Sequence, residues 1–376
     1  MKEIKIKAIF GAHQIYQEIV NYPPDGVKYL GISKQTSGGK YYENKKWKER
    51  INRIAQKIKM PRLLFIKERN FDIIHSSRGI IPIQLLSNKP WVLDLEYFSS
   101  FMGLNIDSIL KNKRIRRIIE NRLASKNCKK ILCHCEATKK SMKKYFNSSK
   151  FQQKLDVLYP SSHLIPLKKE SHKKVRILCV LSLFEQKGGK LILQSFKNLE
   201  KKYKNIELWM KSDVPERIKE RFKSPNIKFI KYHKEVLPRE ELLKELYFKS
   251  DIFVYTSFAD SFGYSLIDAM VSGLPIIGTN LFAIPEIVVH KKNGFVIEIP
   301  GYNPENFIQF YNIKKLDNDQ KEIFIKNLTK NIGILIENKD LREKMGRRSL
   351  KMISNGKFSI KERNKKLRNV YEEALK

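Results

Sequence analysis

The chain has 376 residues, of which 41% are hydrophobic, and a formal net charge of +36. This length fits two domains of about 150 to 200 residues, and the hydrophobic content supports folded cores. No segment approaches the roughly 20 uncharged apolar residues of a membrane-spanning helix, and the first ten residues suit a strand and not a signal peptide. We therefore expect a cytoplasmic protein, and its four cysteines fit reduced thiols.

The N-terminal half alternates predicted strands with helical or irregular segments. Strands are predicted at residues 4–10, 71–75, 89–96, 129–135 and 154–160, and helices at residues 47–58 and 137–146. Residues 31–46 contain Ser37, Gly38 and Gly39 and are predicted to form a flexible loop. Alternation of strands with helices predicts a parallel sheet.

Basic residues are densest between Lys111 and Lys154, where fifteen Lys or Arg accompany two acids. Such density attracts polyanions, which include nucleic acid, an anionic membrane surface or a phosphorylated substrate. A solvated lysine face explains the same pattern. Aromatic residues lie only near the end of this segment, and no nucleic-acid-binding motif is present, so no nucleic acid is expected as a partner.

Residues 104–123 combine apolar residues with six Lys or Arg side chains. Two interpretations remain open for this segment. A helix with apolar anchors and cations can lie on an anionic bilayer. Alternatively, the apolar residues pack the domain while the cations are solvated.

Cys133, His134 and Cys135 are residue types that bind metals. In an alternating strand Cys133 and Cys135 point to one face, and no second ligand pair with zinc spacing lies nearby. We favour a core strand over a metal site, and we predict no metal.

Residues 166–174 contain Pro166 and several lysines, which predicts a linker. A second α/β domain follows, with a strand at residues 175–183, then a loop that contains Lys187, then a helix. Towards the end of the chain, helices are predicted at residues 304–311, 318–337, 340–353 and 359–375.

The central stretch of this second domain is predicted as a strand at residues 252–255, a polar loop at 256–261 and a helix that opens at Phe262 and Gly263. The first turn of such a helix presents unpaired N–H groups, so Gly263, Tyr264 and Ser265 are predicted to hold a phosphate. Asp260 and Asp268 bracket this turn. Carboxylates at such a place are suited to accept hydrogen bonds from sugar hydroxyls.

This stretch resembles the donor-site signature of family 4 retaining glycosyltransferases. The similarity lies in DSFGYSLIDAM at residues 260–270, SGLPIIGT at 272–279, IPEIV at 284–288 and NGF at 293–295. The resemblance implies that Asp268 holds the nucleotide ribose and Asp260 the transferred sugar, although the family usually has Glu at both positions. Phe262, Gly263, Tyr264 and Ser265 are implied to complete the donor-binding turn.

The resemblance extends to residues 181–188, LSLFEQKG, where the family usually shows G-R-L-x-x-x-K-G. Lys187 is retained and is implied to neutralise the diphosphate leaving group. Ser182 stands in place of the usual arginine. In the N-terminal half the similarity is weaker, and Glu96 occupies the position where an acceptor-side His is common; we expect it to be catalytic with Lys187 and Asp260.

The family has the GT-B fold, in which two Rossmann-like α/β domains face each other across a cleft. The implied domains are residues 1–165 on the acceptor side, a linker at 166–174, a nucleotide-sugar-binding domain at 175–355, and a helix at 356–376 that crosses back to the first domain. The implied activity is metal-independent transfer of a sugar, with retained configuration, from a nucleotide diphosphate sugar to a glycan or lipid-linked acceptor. No cofactor other than this donor is expected.

Three other functions share part of this pattern. A glycoside hydrolase also uses paired carboxylates, but eight helical residues separate Asp260 and Asp268 by roughly 12 Å, against the about 5 Å of retaining hydrolases. A sugar-nucleotide epimerase on the same fold shares the phosphate-binding turn. A basic polyanion-binding protein without catalysis accounts for the charge alone.

Overall fold

The structure is a computed structural model that describes residues 3–11, 13–31, 61–102, 106–146, 148–170, 172–232 and 238–376. The loop predicted at residues 31–46 and the helix predicted at 47–58 lie almost wholly outside these residues. By internal packing, the chain divides into one unit of Met1–Ser161 with Lys357–Lys376, and a second unit of Ser162–Gly356. The sequence had placed the first boundary slightly later, at residue 165.

The first unit is built on a parallel sheet with the strand order β2-β1-β4-β6-β7-β8, and strands β3 and β5 form a separate parallel pair. Every residue of β4 and β6 is buried, as expected for central strands that are covered on both faces, although His75, Ser76, Ser77 and Asp94 among them are polar. The strands are β1 (Ile4–Ile9), β2 (Val27–Leu30), β3 (Leu63–Ile66), β4 (Ile73–Ser77), β5 (Ile81–Gln84), β6 (Trp91–Leu95), β7 (Cys128–Cys133) and β8 (Leu155–Val157).

Helices connect these strands, and a 3-10 turn at Phe98–Met102 follows β6. The helices are α1 (Gln14–Asn21), α2 (Ile106–Lys111), α3 (Lys113–Ala124), α4 (Glu136–Tyr145) and α5 (Ser149–Gln152). Strand β7 ends at Cys133, so the predicted strand through Cys135 is wrong. Cys135 instead caps α4, because its sulfur accepts the Thr138 amide at 3.3 Å.

The second unit is built on a parallel sheet with the order β11-β10-β9-β12-β13-β14. Counted within the unit, this order is 3-2-1-4-5-6, which is the doubly wound arrangement. The strands are β9 (Val175–Val180), β10 (Ile206–Lys211), β11 (Ile227–Ile230), β12 (Ile252–Tyr255), β13 (Ile276–Thr279) and β14 (Gly294–Ile297).

The connections of this second unit are helical. They are α6 (Gly189–Lys202), α7 (Glu216–Arg221), α8 (Arg239–Leu242), which runs on as a π-helical turn at Leu243–Tyr247, α9 (Tyr264–Val271), α10 (Ile284–Ile287), α11 (Asn318–Glu337) and α12 (Lys339–Ser354). Two parallel sheets in two Rossmann-like units confirm the predicted α/β class. The prediction of a helix at residues 304–311 is wrong. A 3-10 turn at Pro304–Asn306 ends where Phe307 takes a left-handed φ of 49°.

The last helix, α13 (Ile360–Leu375), belongs to the first unit. Its Tyr371 hydroxyl lies 2.6 Å from Nδ1 of His75 in β4, and Lys366 donates to Asp156 in β8 at 2.7 Å. These contacts fix the end of the chain against the first sheet. Across the described part of the chain, no helix has the length and apolarity needed to cross a membrane.

Helix α12 packs closely against the turn that ends α9. A Cβ atom added to Gly346 of α12 lies 2.1 Å from the carbonyl oxygen of Gly273, which has a left-handed φ of 62°. This contact leaves no room for a side chain. For Gly333 in α11, the atom nearest to an added Cβ is the hydroxyl oxygen of Tyr203, at 3.2 Å, which is the tip of a movable side chain.

We therefore expect Gly346→Ala to lower the free energy of unfolding by about 2 to 3 kcal/mol, because the added methyl group pushes α12 away from α9. Gly333→Ala serves as the matched control and is expected to be neutral or to stabilise by up to about 1 kcal/mol through helix propensity. Urea denaturation measures both. Equal stability of the two variants would contradict this packing.

Candidate active site

Lys187 is brought to the carboxyl-terminal edge of the second sheet by a tight turn after β9. The Lys187 amide donates to the Leu183 carbonyl at 2.9 Å, and Gly188 follows with a left-handed φ of 71° before α6 begins. A Cβ atom at Gly188 would lie 2.7 Å from Oγ1 of Thr256. Glycine is thus required here by both backbone conformation and close approach.

The Lys187 amine is surrounded by acceptors from the loop that follows β12. Nζ lies 2.9 Å from the Tyr255 hydroxyl and 2.8 Å from the Ala259 carbonyl oxygen, and it forms an ion pair with Asp260. Side-chain exposure is 8% for Lys187 and 16% for Asp260, so the pair is largely withdrawn from water. The sequence predicted both residues as catalytic, and the structure places them in direct contact.

Asp260 is held in its charged form. Burial raises the pKa of this carboxyl, but the charge of Lys187 and hydrogen bonds from Lys187, Tyr255 and the Phe262 amide outweigh that effect, so the pKa lies below its usual range. Burial, followed by the charge of Asp260, raises the pKa of the Tyr255 phenol well above its usual value. Tyr255 therefore remains a neutral donor to Asp260.

Beside this pair lies the amino terminus of α9. Gly263 precedes the helix with a left-handed φ of 82°, and no side chain caps the first turn. Phe262 is buried, with 3% exposure, whereas Tyr264 and Ser265 are half-buried. The Phe262 amide donates to Asp260 at 3.1 Å, which ties the predicted phosphate-binding turn to the Lys187–Asp260 pair.

Asp268, in the second turn of α9, pairs with Arg239, a residue that the sequence analysis did not single out. Nε of Arg239 donates to Oδ1 of Asp268 at 2.8 Å, and both side chains are 9% exposed. Arg239 also donates to Oγ of Ser162 at 2.7 Å. A pairing across 29 residues has no signature in sequence, since Arg239 is one of many cations in this chain.

The remaining predicted residues are more dispersed. Ser182 is half-buried, two residues beyond the end of β9. Glu96 lies in the other unit, just after β6, with Oε1 3.9 Å from Nε of Arg78. Arg78 has a left-handed φ of 55°, which is costly for a residue with a side chain and marks this turn as a constrained one.

The first unit also buries a group of ionisable side chains near Glu96. Asp94 forms a hydrogen bond with His134 and lies 3.9 Å from Nε2 of His75. Burial lowers the pKa of His75 to about 4. The charge of Asp94 raises this pKa by less than burial lowers it, and His134 lowers it further. Burial also opposes the charge on His134, but Asp94 outweighs it and raises the pKa of His134. The raised pKa makes His134 the histidine of this group that takes up a proton more readily. Within the described ranges, no group of three or more His, Cys, Asp or Glu side chains is arranged to hold a metal ion.

Comparison with known proteins connects this geometry to a family. Residues 165–331, which include Lys187, Asp260 and Asp268, match the family described as Glycosyl transferases group 1. The chain is 27% identical over 210 residues to an uncharacterized glycosyltransferase of Haemophilus influenzae, covering 53% of this chain and 58% of that protein. The chain thus spans little more than half the length of that relative.

Solved structures extend the similarity to the whole fold. A glycosyltransferase from Rickettsia africae superposes with a TM-score of 0.63 at 15% identity, over 100% of both chains. Anabaena Alr3699/HepE, solved with UDP and glucose, superposes with a TM-score of 0.59 at 13% identity, over 99% of both chains. These similarities confirm the GT-B fold that the sequence predicted.

The Lys187–Asp260 pair generates a prediction on stability. Lys187→Met leaves a buried carboxylate without its cation, so we expect a loss of about 3 kcal/mol in the free energy of unfolding at pH 7. Asp260→Asn is expected to cost a similar amount, whereas the double variant, which buries neither charge, is expected to recover much of the loss. Urea denaturation of the four proteins gives the coupling energy. Additive losses would show that the two charges do not interact.

The pH dependence follows from the lowered pKa of Asp260 in the native protein. Its stabilising contribution is present above the unfolded pKa of about 4 and is lost as the pH falls through the native value. Without Lys187 the largest influences that lower this pKa are lost while burial still raises it, so the carboxyl of Lys187→Met takes up a proton at a higher pH than that of the wild type. The stability difference between wild type and Lys187→Met is therefore expected to shrink as the pH approaches 4.

Proposed function

We propose that the protein is a glycosyltransferase that transfers a hexosyl or related sugar from a nucleotide diphosphate sugar to a glycan or lipid-linked acceptor. The main support for this proposal is the position of one ion pair. The buried Lys187–Asp260 pair adjoins the uncapped amino terminus of α9, within the region that matches the Glycosyl transferases group 1 family. Both features follow strand ends of a doubly wound sheet, where such sheets bind ligands.

The start of α9 is suited to bind the diphosphate. Its first turn offers backbone N–H groups and the positive end of the helix dipole, and Gly263 brings no side chain to block an anion. Tyr264 and Ser265 supply the N–H groups nearest to the end. The Anabaena neighbour was solved with UDP and glucose, which supports a nucleotide sugar as the class of donor.

Lys187 is proposed to act on the leaving group. When the bond between the anomeric carbon and the diphosphate breaks, negative charge accumulates on the diphosphate, and a nearby ammonium group stabilises it. Lys187 is already withdrawn from water. A charge interacts more strongly with another charge in such a shielded environment than in water. With this cation and the helix dipole on the diphosphate, we propose a reaction that requires no metal or further cofactor and that retains the anomeric configuration.

Asp260 and Asp268 are proposed to bind hydroxyl groups of the donor. Asp260 is kept ionised beside Lys187, and an ionised carboxylate accepts hydrogen bonds only. Asp268 lies one turn further along α9 and is the proposed acceptor for the ribose hydroxyls. On the acceptor side, Glu96 is proposed as the polar group that receives the acceptor hydroxyl, because it follows a strand end of the first sheet and is 17% exposed.

The first test is binding and turnover. UDP-, GDP- and ADP-sugars are screened for an increase in melting temperature, and the sugar that stabilises the protein is then offered with acceptor glycans and lipid-linked acceptors. We expect stabilisation by one nucleotide class, an unchanged result in the presence of a chelator, and a product with the anomeric configuration of the donor by NMR. Interconversion of the free nucleotide sugar without acceptor would indicate an epimerase instead.

Substitution of Lys187 separates catalysis from binding. Lys187→Ala is expected to lower kcat at least a hundredfold, about the effect of removing one transition-state charge contact, with little change in the KM for the acceptor. Lys190, which is exposed one turn later in α6, supplies the control Lys190→Ala. A kcat for Lys187→Ala equal to that of the control would show that Lys187 has a structural role and does not act in catalysis.

We further propose that the first unit attracts an anionic membrane surface by charge alone. In α3 the apolar residues Ile115, Ile119 and Leu123 are buried, so this face of the helix packs into the domain and is not free to insert, whereas Ile118 is 41% exposed. Its cations Lys113, Arg114 and Arg117 remain exposed. The structure therefore favours the packing interpretation of this segment, and leaves electrostatic attraction as the way it would contact lipid.

Sedimentation with vesicles tests this part. Anionic vesicles at low salt are expected to bind the protein and neutral vesicles are not, with binding lost as salt increases. Replacing Lys113, Arg114 and Arg117 together by Gln is expected to reduce the bound fraction severalfold without a change in melting temperature. Equal binding to neutral and anionic vesicles would contradict the proposal.

A further inference from the structure

The charges around the start of α9 are unbalanced without Arg239. Two carboxylates, Asp260 and Asp268, lie at this site, and Lys187 is in contact with the first of them. A diphosphate would bring at least two more negative charges. The helix dipole offers only about half a positive charge, so these groups by themselves would repel the proposed donor.

Arg239 supplies the missing positive charge at the correct end of the helix. Its Nε is 2.8 Å from Oδ1 of Asp268, and its guanidinium carbon is 5.7 Å from the ring centroid of Tyr264, the first residue of α9. The side chain is 9% exposed. A cation that is withdrawn from water and lies beside the proposed phosphate-binding turn is well placed to attract an anion.

We propose that Arg239 is a donor-binding residue that contacts the diphosphate directly while it holds Asp268 in place. The inference rests on the proposed function and adds a residue to it. A guanidinium group carries five N–H donors in a planar fork, so it can keep a carboxylate and bind a phosphate oxygen at the same time. A lysine amine is less suited to bind a carboxylate and a phosphate at the same time, because its three N–H donors diverge from a single nitrogen atom.

This geometry predicts how the affinity depends on phosphate. If Arg239 contacts the diphosphate, its loss weakens ligands in proportion to their phosphate charge and leaves the unphosphorylated nucleoside nearly unaffected. If Arg239 only orients Asp268 towards the ribose, its loss weakens nucleoside and nucleoside diphosphate equally. Comparing ligands that differ only in phosphate number therefore separates the two roles.

The experiment uses isothermal titration of the whole protein with the nucleoside, the monophosphate and the diphosphate of the base that stabilises the wild type. Arg239→Gln is expected to weaken diphosphate binding about tenfold or more and nucleoside binding less than about threefold, since a charge-assisted hydrogen bond is lost only for the former. Arg239→Lys, which keeps the charge and disturbs the fold least, is expected to lie between wild type and Arg239→Gln for the diphosphate alone.

The matched control is Arg176, which pairs with Glu207 at 2.8 Å and stacks on Trp209 at the opposite end of the same sheet. Arg176→Lys removes a comparable guanidinium–carboxylate pair and is expected to leave all three affinities unchanged. An equal loss for nucleoside and diphosphate in the Arg239 variants, or no loss, would overturn this inference and leave the proposed function intact. A wild-type protein that binds no nucleoside diphosphate would overturn both.

Discussion

The second unit depends on the compensation of a buried charge. Lys187 and Asp260 are both largely shielded from water, and either one alone would carry a desolvation penalty of several kcal/mol. Tyr255 and the Ala259 carbonyl fill the remaining positions around the amine. The loop from β12 to α9 is thereby held to the turn between β9 and α6, and the start of α9 is fixed next to a cation.

A second compensated pair, Arg239 and Asp268, secures the other side of α9. The helix thus lies between two ion pairs, one before its first turn and one in its second. This arrangement keeps two cations near the site, and both are shielded from water that would weaken their interaction with an anion. It also implies that a bound anion would share these cations with the carboxylates, so that donor binding and the internal ion pairs are linked.

Much of this fold was accessible from sequence because its signals are local. Alternating strands and helices gave the parallel sheets, and a strand, polar loop and helix placed Asp260 before α9 correctly. Two local predictions failed where the decisive feature was a single backbone conformation or cap. Phe307 ends a predicted helix through its left-handed φ, and Cys135 caps α4 where a strand was expected.

The parts of the site that the sequence did not reveal are long-range. Lys187 and Asp260 are 73 residues apart, and their direct contact was not foreseen even though each was predicted to act. Arg239 was missed because its partner Asp268 lies beyond an intervening strand, and a chain with 75 Lys and Arg residues gives no means to single out one of them. Only the balance of charges at the folded site distinguishes Arg239 from the other cations.

The proposed function requires Lys187 and the start of α9 to bind the diphosphate of a nucleotide sugar together. A crystal structure of the protein with a bound nucleoside diphosphate tests it most directly. We expect a phosphate oxygen within about 3 Å of the Lys187 amine and of the Tyr264 or Ser265 amide nitrogen. A diphosphate bound elsewhere, or one bound at α9 with Lys187 still directed only to Asp260, would contradict it.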